Sequence, residues 1–94
     1  MLNAIEPGSV LPRHGHQKSS ETLVCLRGRL VWEFYDELGR MTESMELWSN
    51  GELRCLNIEK GRWHTVKALE SGSVILEMKD GAYESLADED ILQI

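Results

Sequence analysis

The residues able to do chemistry in this chain are few and grouped. It holds three histidines, His14, His16 and His64. The first two stand two apart, and on an extended strand residues i and i+2 leave the same face. Glu21 follows after Gln17-Lys18-Ser19-Ser20, a polar four-residue turn that would return its carboxylate to the two imidazoles. Two neutral imidazoles and a carboxylate are a chelating set for a divalent transition metal. Imidazole suits Zn, Fe, Ni and Cu, and a carboxylate extends the range toward Mn. His64 opens a second extended segment and is placed to close the site from across the fold. A surface His pair with an exposed Glu21 is the alternative, and it leaves the spacing unexplained.

The elements that must carry these residues are marked by glycines. From Gly28 onward, Gly39, Gly51, Gly61, Gly72 and Gly81 follow at steps of 11, 12, 10, 11 and 9 residues. Several sit in turn chemistry, as in Asp36-Glu37-Leu38-Gly39 and Glu70-Ser71-Gly72. Such a beat predicts an antiparallel all-β sandwich or barrel of about eight short strands. Leu30 to Tyr35 is rich in β-branched and aromatic residues, and Trp63 to Leu69 and Ser73 to Lys79 alternate in the period of a strand. Only the tail, Leu86 to Leu92, offers a short helical turn. Trp32 and Phe34 read as core on one strand face. Cys25 and Arg27 run in phase with Glu21 and Leu23, which predicts an inward Cys25 and an Arg27 at the pocket mouth or in solvent.

At this point the residues resemble a known family. Gly8, five residues, His14-Gly15-His16, four residues, Glu21, six residues and Gly28 are similar to the first cupin motif. The second motif is partly present: Gly51 and Gly61-Arg62-Trp63-His64 keep its glycines and histidine. Glu59 stands where a proline is usual, and Ala68 where an asparagine is customary. The resemblance implies a small antiparallel β-barrel of the double-stranded β-helix, jelly-roll-like type, with a metal held by His14, His16, Glu21 and His64. Asn3 to Gly8, Leu26 to Arg29, Phe34 to Glu37, Trp63 to Thr65 and Leu76 to Tyr83 further resemble the WbuC-type cupin fold metalloproteins, over nearly the whole chain. Gly81-Ala82-Tyr83 replaces that family's Gly-Pro-Tyr. Several such proteins sit among polysaccharide-assembly genes.

Glu77 and Lys79 share one face of their strand with Ile75, opposite Val74, Leu76 and Met78. One reading places Glu77, Lys79 and Tyr83 beside the metal as acid, base or substrate anchors. The other makes them an outward-facing charged strand. The sequence leaves both open.

Composition bounds the rest. Ninety-four residues with 41% hydrophobic and 28% charged side chains suit one folded domain, here expected over 1–94. A net charge of −6 argues against binding to nucleic acid or anionic membranes. Two cysteines, Cys25 and Cys55, are too few for a disulfide scaffold and read as reduced thiols of a cytoplasmic protein. A small barrel with strand edges to cover is expected to form a homodimer or larger assembly, with Leu2, Ile5 and Trp48 as candidate contacts. The functional expectation is a metal-dependent enzyme of isomerase, epimerase or oxygenase type. It would use Fe, Mn, Zn or Ni on a small, polar, sugar-like molecule. The competing class is a metal-bearing carbohydrate-binding module without turnover.

Overall fold

A computed structural model describes residues 2–9, 11–16, 19–79 and 90–92. Among these residues seven strands follow one another: β1 (Leu2–Ile5), β2 (Glu21–Arg27), β3 (Arg29–Tyr35), β4 (Met41–Trp48), β5 (Cys55–Ile58), β6 (Trp63–Ala68) and β7 (Ser73–Lys79). They pair antiparallel in two sheets, β1-β7-β2-β5 (sheet A) and β4-β3-β6 (sheet B). The antiparallel all-β class expected from the glycine beat is present, as two sheets, and no closed barrel is formed among the described residues. The segments read from Leu30, Trp63 and Ser73 coincide closely with β3, β6 and β7. The tail turn expected over Leu86 to Leu92 lies largely outside the described residues.

Alternation along the strands fills the space between the sheets. From β3 come Leu30, Trp32 and Phe34, each at most 1% exposed, and Leu23, Cys25, Leu47, Ile58 and Ile75 meet them. Burying side chains of this size supplies about 1.5–3 kcal/mol each. Cys25 is inside as expected, its thiol donating to the Gly28 carbonyl at 3.4 Å. Arg27 is not in phase with it. A bulge between Cys25 and Arg27 shifts the register, so Arg27 pairs with Val74 and turns outward, away from the pocket. The bulge runs straight into Gly28, where φ is +81° and an added Cβ would lie 2.3 Å from the Ser73 hydroxyl. Only glycine lets β2 turn into β3, and thus cross from one sheet to the other, at this point.

Candidate metal centre

The site is built by one short segment laid between two others. His14 N–H donates to the His64 carbonyl at 2.8 Å, and His64 N–H donates back to the His14 carbonyl at 2.7 Å. Gly61 N–H continues the ladder onto the His16 carbonyl at 2.7 Å. On the other side, Gly15 N–H donates to the Asp90 carbonyl and Leu92 N–H to the Arg13 carbonyl, both at 2.8 Å. The expected strand through His14 and His16 is thus only an isolated bridge at His14, anchored to β6 and to Ile91. The two rings nevertheless reach one site, as the spacing predicts. Gly15 makes the close approach possible, because a Cβ there would stand 2.9 Å from the Arg62 carbonyl oxygen.

The three imidazoles and Glu21 converge. Their ligand atoms all lie within 4.8 Å of one another. The His14 and His64 rings are 4.3 Å apart between centroids, and His14 and His16 are 5.3 Å apart. Two rings are oriented from behind by the same device. His14 Nδ1 lies 2.9 Å from the Pro12 carbonyl and His64 Nδ1 lies 2.8 Å from the Arg62 carbonyl, each two residues back. A carbonyl only accepts, so in the neutral rings Nδ1 carries the proton and Nε2 keeps a lone pair. His64 Nε2 stands 3.3 Å, and His16 Nε2 3.4 Å, from the same Glu21 Oε1. For neutral His64 this sets two lone pairs face to face, an arrangement that a cation between them resolves. Donors about 2.1 Å from a common ion at tetrahedral angles stand about 3.4 Å apart. The second Glu21 oxygen, Oε2, is buried and has no hydrogen-bond partner among the described residues. A buried carboxylate with an orphan oxygen beside three aimed imidazoles fits a divalent transition metal, and this cluster could hold one.

The electrostatics agree. Burial, reinforced by the neighbouring imidazoles, brings His14 down to about 4, so its ring is neutral near pH 7. His16 is lowered as well, by burial first. Burial works against the Glu21 charge, but the facing imidazoles outweigh it and hold the carboxyl below its usual range. Neutral imidazoles and an ionised carboxylate are the forms that coordinate.

A cavity of about 370 Å³ opens onto this cluster. Leu11, Leu23, Trp32 and Val66 give it apolar walls, and Asn3, Glu77 and Lys79 add polar groups. Glu77 and Lys79 therefore face inward, and the outward-facing alternative is excluded. Register explains the placement: Lys79 pairs directly with Glu21, and Glu77 pairs with Leu23, one step along the same face. Burial first, then repulsion by Glu21, raises the Glu77 carboxyl above its ordinary range, against the pull of Lys79 and a hydrogen bond to Asn3. Tyr83 lies outside the described residues. Asn3 and the carbonyls of Pro12 and Arg62 escaped the sequence reading. The shared i−2 spacing before His14 and His64 was the one available signal.

Fold and donor set together define a cupin-fold protein with a metal-competent His/Glu cluster. A family profile described as a domain of unknown function (DUF6016) matches residues 1–47, half of the sequence, and the chain belongs to that family. A search of the curated proteins returned no match. Among solved structures, the chain is similar to CapF, a capsular polysaccharide assembling protein from Staphylococcus aureus, with TM-score 0.76 and 18% identity over 88% of this chain and 23% of that one. It is similar to the QdtA 3,4-ketoisomerase from Thermoanaerobacterium thermosaccharolyticum, solved with TDP, with TM-score 0.73 and 21% identity over 89% of this chain and 59% of that one. It is also similar to the oxalate decarboxylase of Bacillus subtilis, with TM-score 0.66 and 22% identity over 99% of this chain and 23% of that one. Mn(II) centres are described for that decarboxylase. The chain thus spans under two thirds of each of these proteins, and at such identities the likeness shows the cupin fold.

Proposed function

We propose that this chain is a metal-dependent small cupin of the WbuC type. Its reaction would be an isomerisation, epimerisation or oxygenation of a small, polar, sugar-like molecule. The observation that carries this reading is the buried Glu21 Oε2, without a partner among the described residues, set among three imidazoles at the wall of a cavity that also holds Glu77 and Lys79. The sugar ketoisomerase and the polysaccharide-assembling protein among the similar structures support the sugar-like class.

A divalent ion held by His14, His16, Glu21 and His64 supplies Lewis-acid polarisation of a substrate oxygen. The chain's own groups do the remainder. Glu77, with its proton held more tightly than an ordinary carboxyl holds one, is suited to exchanging that proton with substrate. Asn3 orients it. Lys79 offers an ammonium to an anionic oxygen, and Trp32 and Val66 keep that part of the cavity apolar. On the family resemblance, Tyr83 is proposed as a further acid or anchor. The reading includes a single cupin domain over 1–94 and a cytoplasmic location, which the free thiols of Cys25 and Cys55 support.

The test is metal analysis of the purified protein, followed by a thermal-shift and turnover screen of sugars and sugar nucleotides. Stoichiometric first-row metal, a chelator-sensitive ligand shift and a product support the enzyme. Binding without product assigns a carbohydrate-binding module instead. Absence of metal after equimolar supply of Mn, Fe, Ni and Zn overturns both.

A further inference from the structure

The cavity beside the His/Glu cluster has two unlike walls, and its size and charge narrow the ligand. The sheet A wall carries the polar groups. Lys79 stands opposite Glu21 across β7 and β2, Glu77 follows on the same face, and Asn3 of β1 hydrogen-bonds Glu77. Away from the imidazoles, the sheet B wall is apolar: Trp32 of β3 and Val66 of β6 face each other across the register. Leu11 and Pro12, exposed lining residues, mark the mouth. Neither carries charge, and Pro12 lacks even a backbone N–H. A ligand here meets hydrogen-bonding groups along one side and hydrocarbon along the other. A pyranose has that character, with hydroxyls around its edge and C–H groups on its faces.

We propose that the site takes a free monosaccharide, neutral or with a single carboxylate, in preference to a nucleotide-linked one. This rests on the sugar-like reading above and narrows it. Volume is the first argument. At about 30 Å³ per water in the liquid, 370 Å³ is the space of about a dozen waters, enough for one hexose with a few waters. A nucleoside diphosphate sugar has about three times as many non-hydrogen atoms as a hexose and would extend past Leu11 and Pro12, at the low end of known ligand-site volumes. Charge is the second. A diphosphate is held by several cationic or N–H donors, as in arginine forks, helix N-termini and glycine-rich loops. Among the described residues Lys79 is the cation of this cavity, and it is flanked by the carboxylates of Glu21 and Glu77, which repel a polyanion. Arg29, Arg40, Arg62 and Lys67 are engaged elsewhere, by Glu46, Asp36, Glu43 and Glu33. Residues 80–94 bring Asp80, Glu84, Asp88, Glu89 and Asp90 to the sequence and no Lys or Arg. One ammonium suits one sugar oxygen or carboxylate, while Trp32 and Val66 cover a C–H face of the ring.

Titration calorimetry on the metal-loaded protein tests this. The probes are hexoses, 6-deoxyhexoses and hexuronates, each beside its own nucleoside diphosphate form, with TDP alone as a control. At least one free sugar should bind with a dissociation constant of about 1 mM or below, at least tenfold more tightly than its nucleotide-linked form, and TDP should not displace it. Val66→Phe, and the milder Val66→Met, take space from the cavity without touching a metal donor. Each should weaken binding of that sugar at least tenfold, while elemental analysis shows the wild-type metal content and circular dichroism a folded chain. A nucleotide-linked sugar that binds more tightly than its free form, or TDP that displaces the free sugar, overturns the inference and leaves the sugar-like reading standing. Unchanged sugar affinity in folded Val66→Phe and Val66→Met also overturns it, because the ligand then lies outside this cavity. No binding by any probe overturns both the inference and the reading on which it rests.

Discussion

His14 and His64, fifty positions apart, exchange both backbone hydrogen bonds, at 2.8 and 2.7 Å, and hold their rings 4.3 Å apart. This one cross-strand pair turns two separate sequence features into a site. It places a side chain from before the first hairpin beside one from β6, where the Arg62 and Pro12 carbonyls fix both tautomers.

Removal of a donor should strip the metal. His16→Ala and His64→Ala are each expected to lower metal occupancy by at least tenfold, measured by elemental analysis after dialysis. They should also abolish the metal-dependent rise in melting temperature. A ligand at a hundred times its dissociation constant stabilises the native state by about 2.7 kcal/mol, and this increment is what the variants lose. A full metal complement in either variant overturns the assignment.

Gly15→Ala tests the backbone approach without touching a donor. Its Cβ would lie 2.9 Å from the Arg62 carbonyl oxygen, which is backbone and cannot swing aside. The segment must lift from β6, carrying both His14 and His16 with it. Metal affinity measured by titration calorimetry should fall at least tenfold, while the strand signature in circular dichroism persists. Unchanged affinity would mean that the pairing does not position the rings.

The metal-free protein should lose stability in mild acid. His14 titrates near 4 in the folded chain and near 6.5 when exposed. Between those values the unfolded chain binds a proton that the folded chain does not, so stability falls as pH drops from 6.5 toward 4 and is flat above. The slope from this group is at most about 1.4 kcal/mol per pH unit. His16, also lowered, adds in the same direction. Glu21 is lowered too, and its contribution is lost only below the ordinary carboxylate range. Urea melts in chelator at pH 7, 6 and 5 measure this, and His14→Gln should flatten the curve. A wild-type curve flat from 7 to 5 contradicts it.

Glu77→Gln separates chemistry from metal binding. The substitution keeps size and removes the titrating proton, so metal content should stay at the wild-type level. Turnover of whichever sugar-like substrate the screen returns should fall by about 10²–10⁴, the usual worth of a general acid or base. Full activity removes Glu77 from the chemistry and leaves it a polar wall of the cavity.

The sequence by itself marked the candidate donors, which the structure brings within 4.8 Å of one another, and the strand period. His14, His16 and Glu21 are close in sequence, so their spacing marks them as one candidate cluster, although the segment through His14 and His16 is held by pairing to His64 and Ile91 rather than as a strand of its own. The glycine spacing dictates antiparallel strands. The inward stack of Trp32 and Phe34 follows from the same parity. Tertiary structure decided which way β7 faces. Both of its faces carry apolar residues, Ile75 on one and Val74, Leu76 and Met78 on the other, and a hydrophobic-inside rule would bury the second. The observed register does the opposite. It pairs Lys79 with Glu21 and Glu77 with Leu23, sends the charges to the cavity, and leaves Leu76 on an outer face. A single-residue bulge likewise moved Arg27 out of phase with Cys25. Parity states only that alternate side chains lie on opposite faces. Which face meets the core is set by pairing across the whole sheet, a long-range property that no single strand contains.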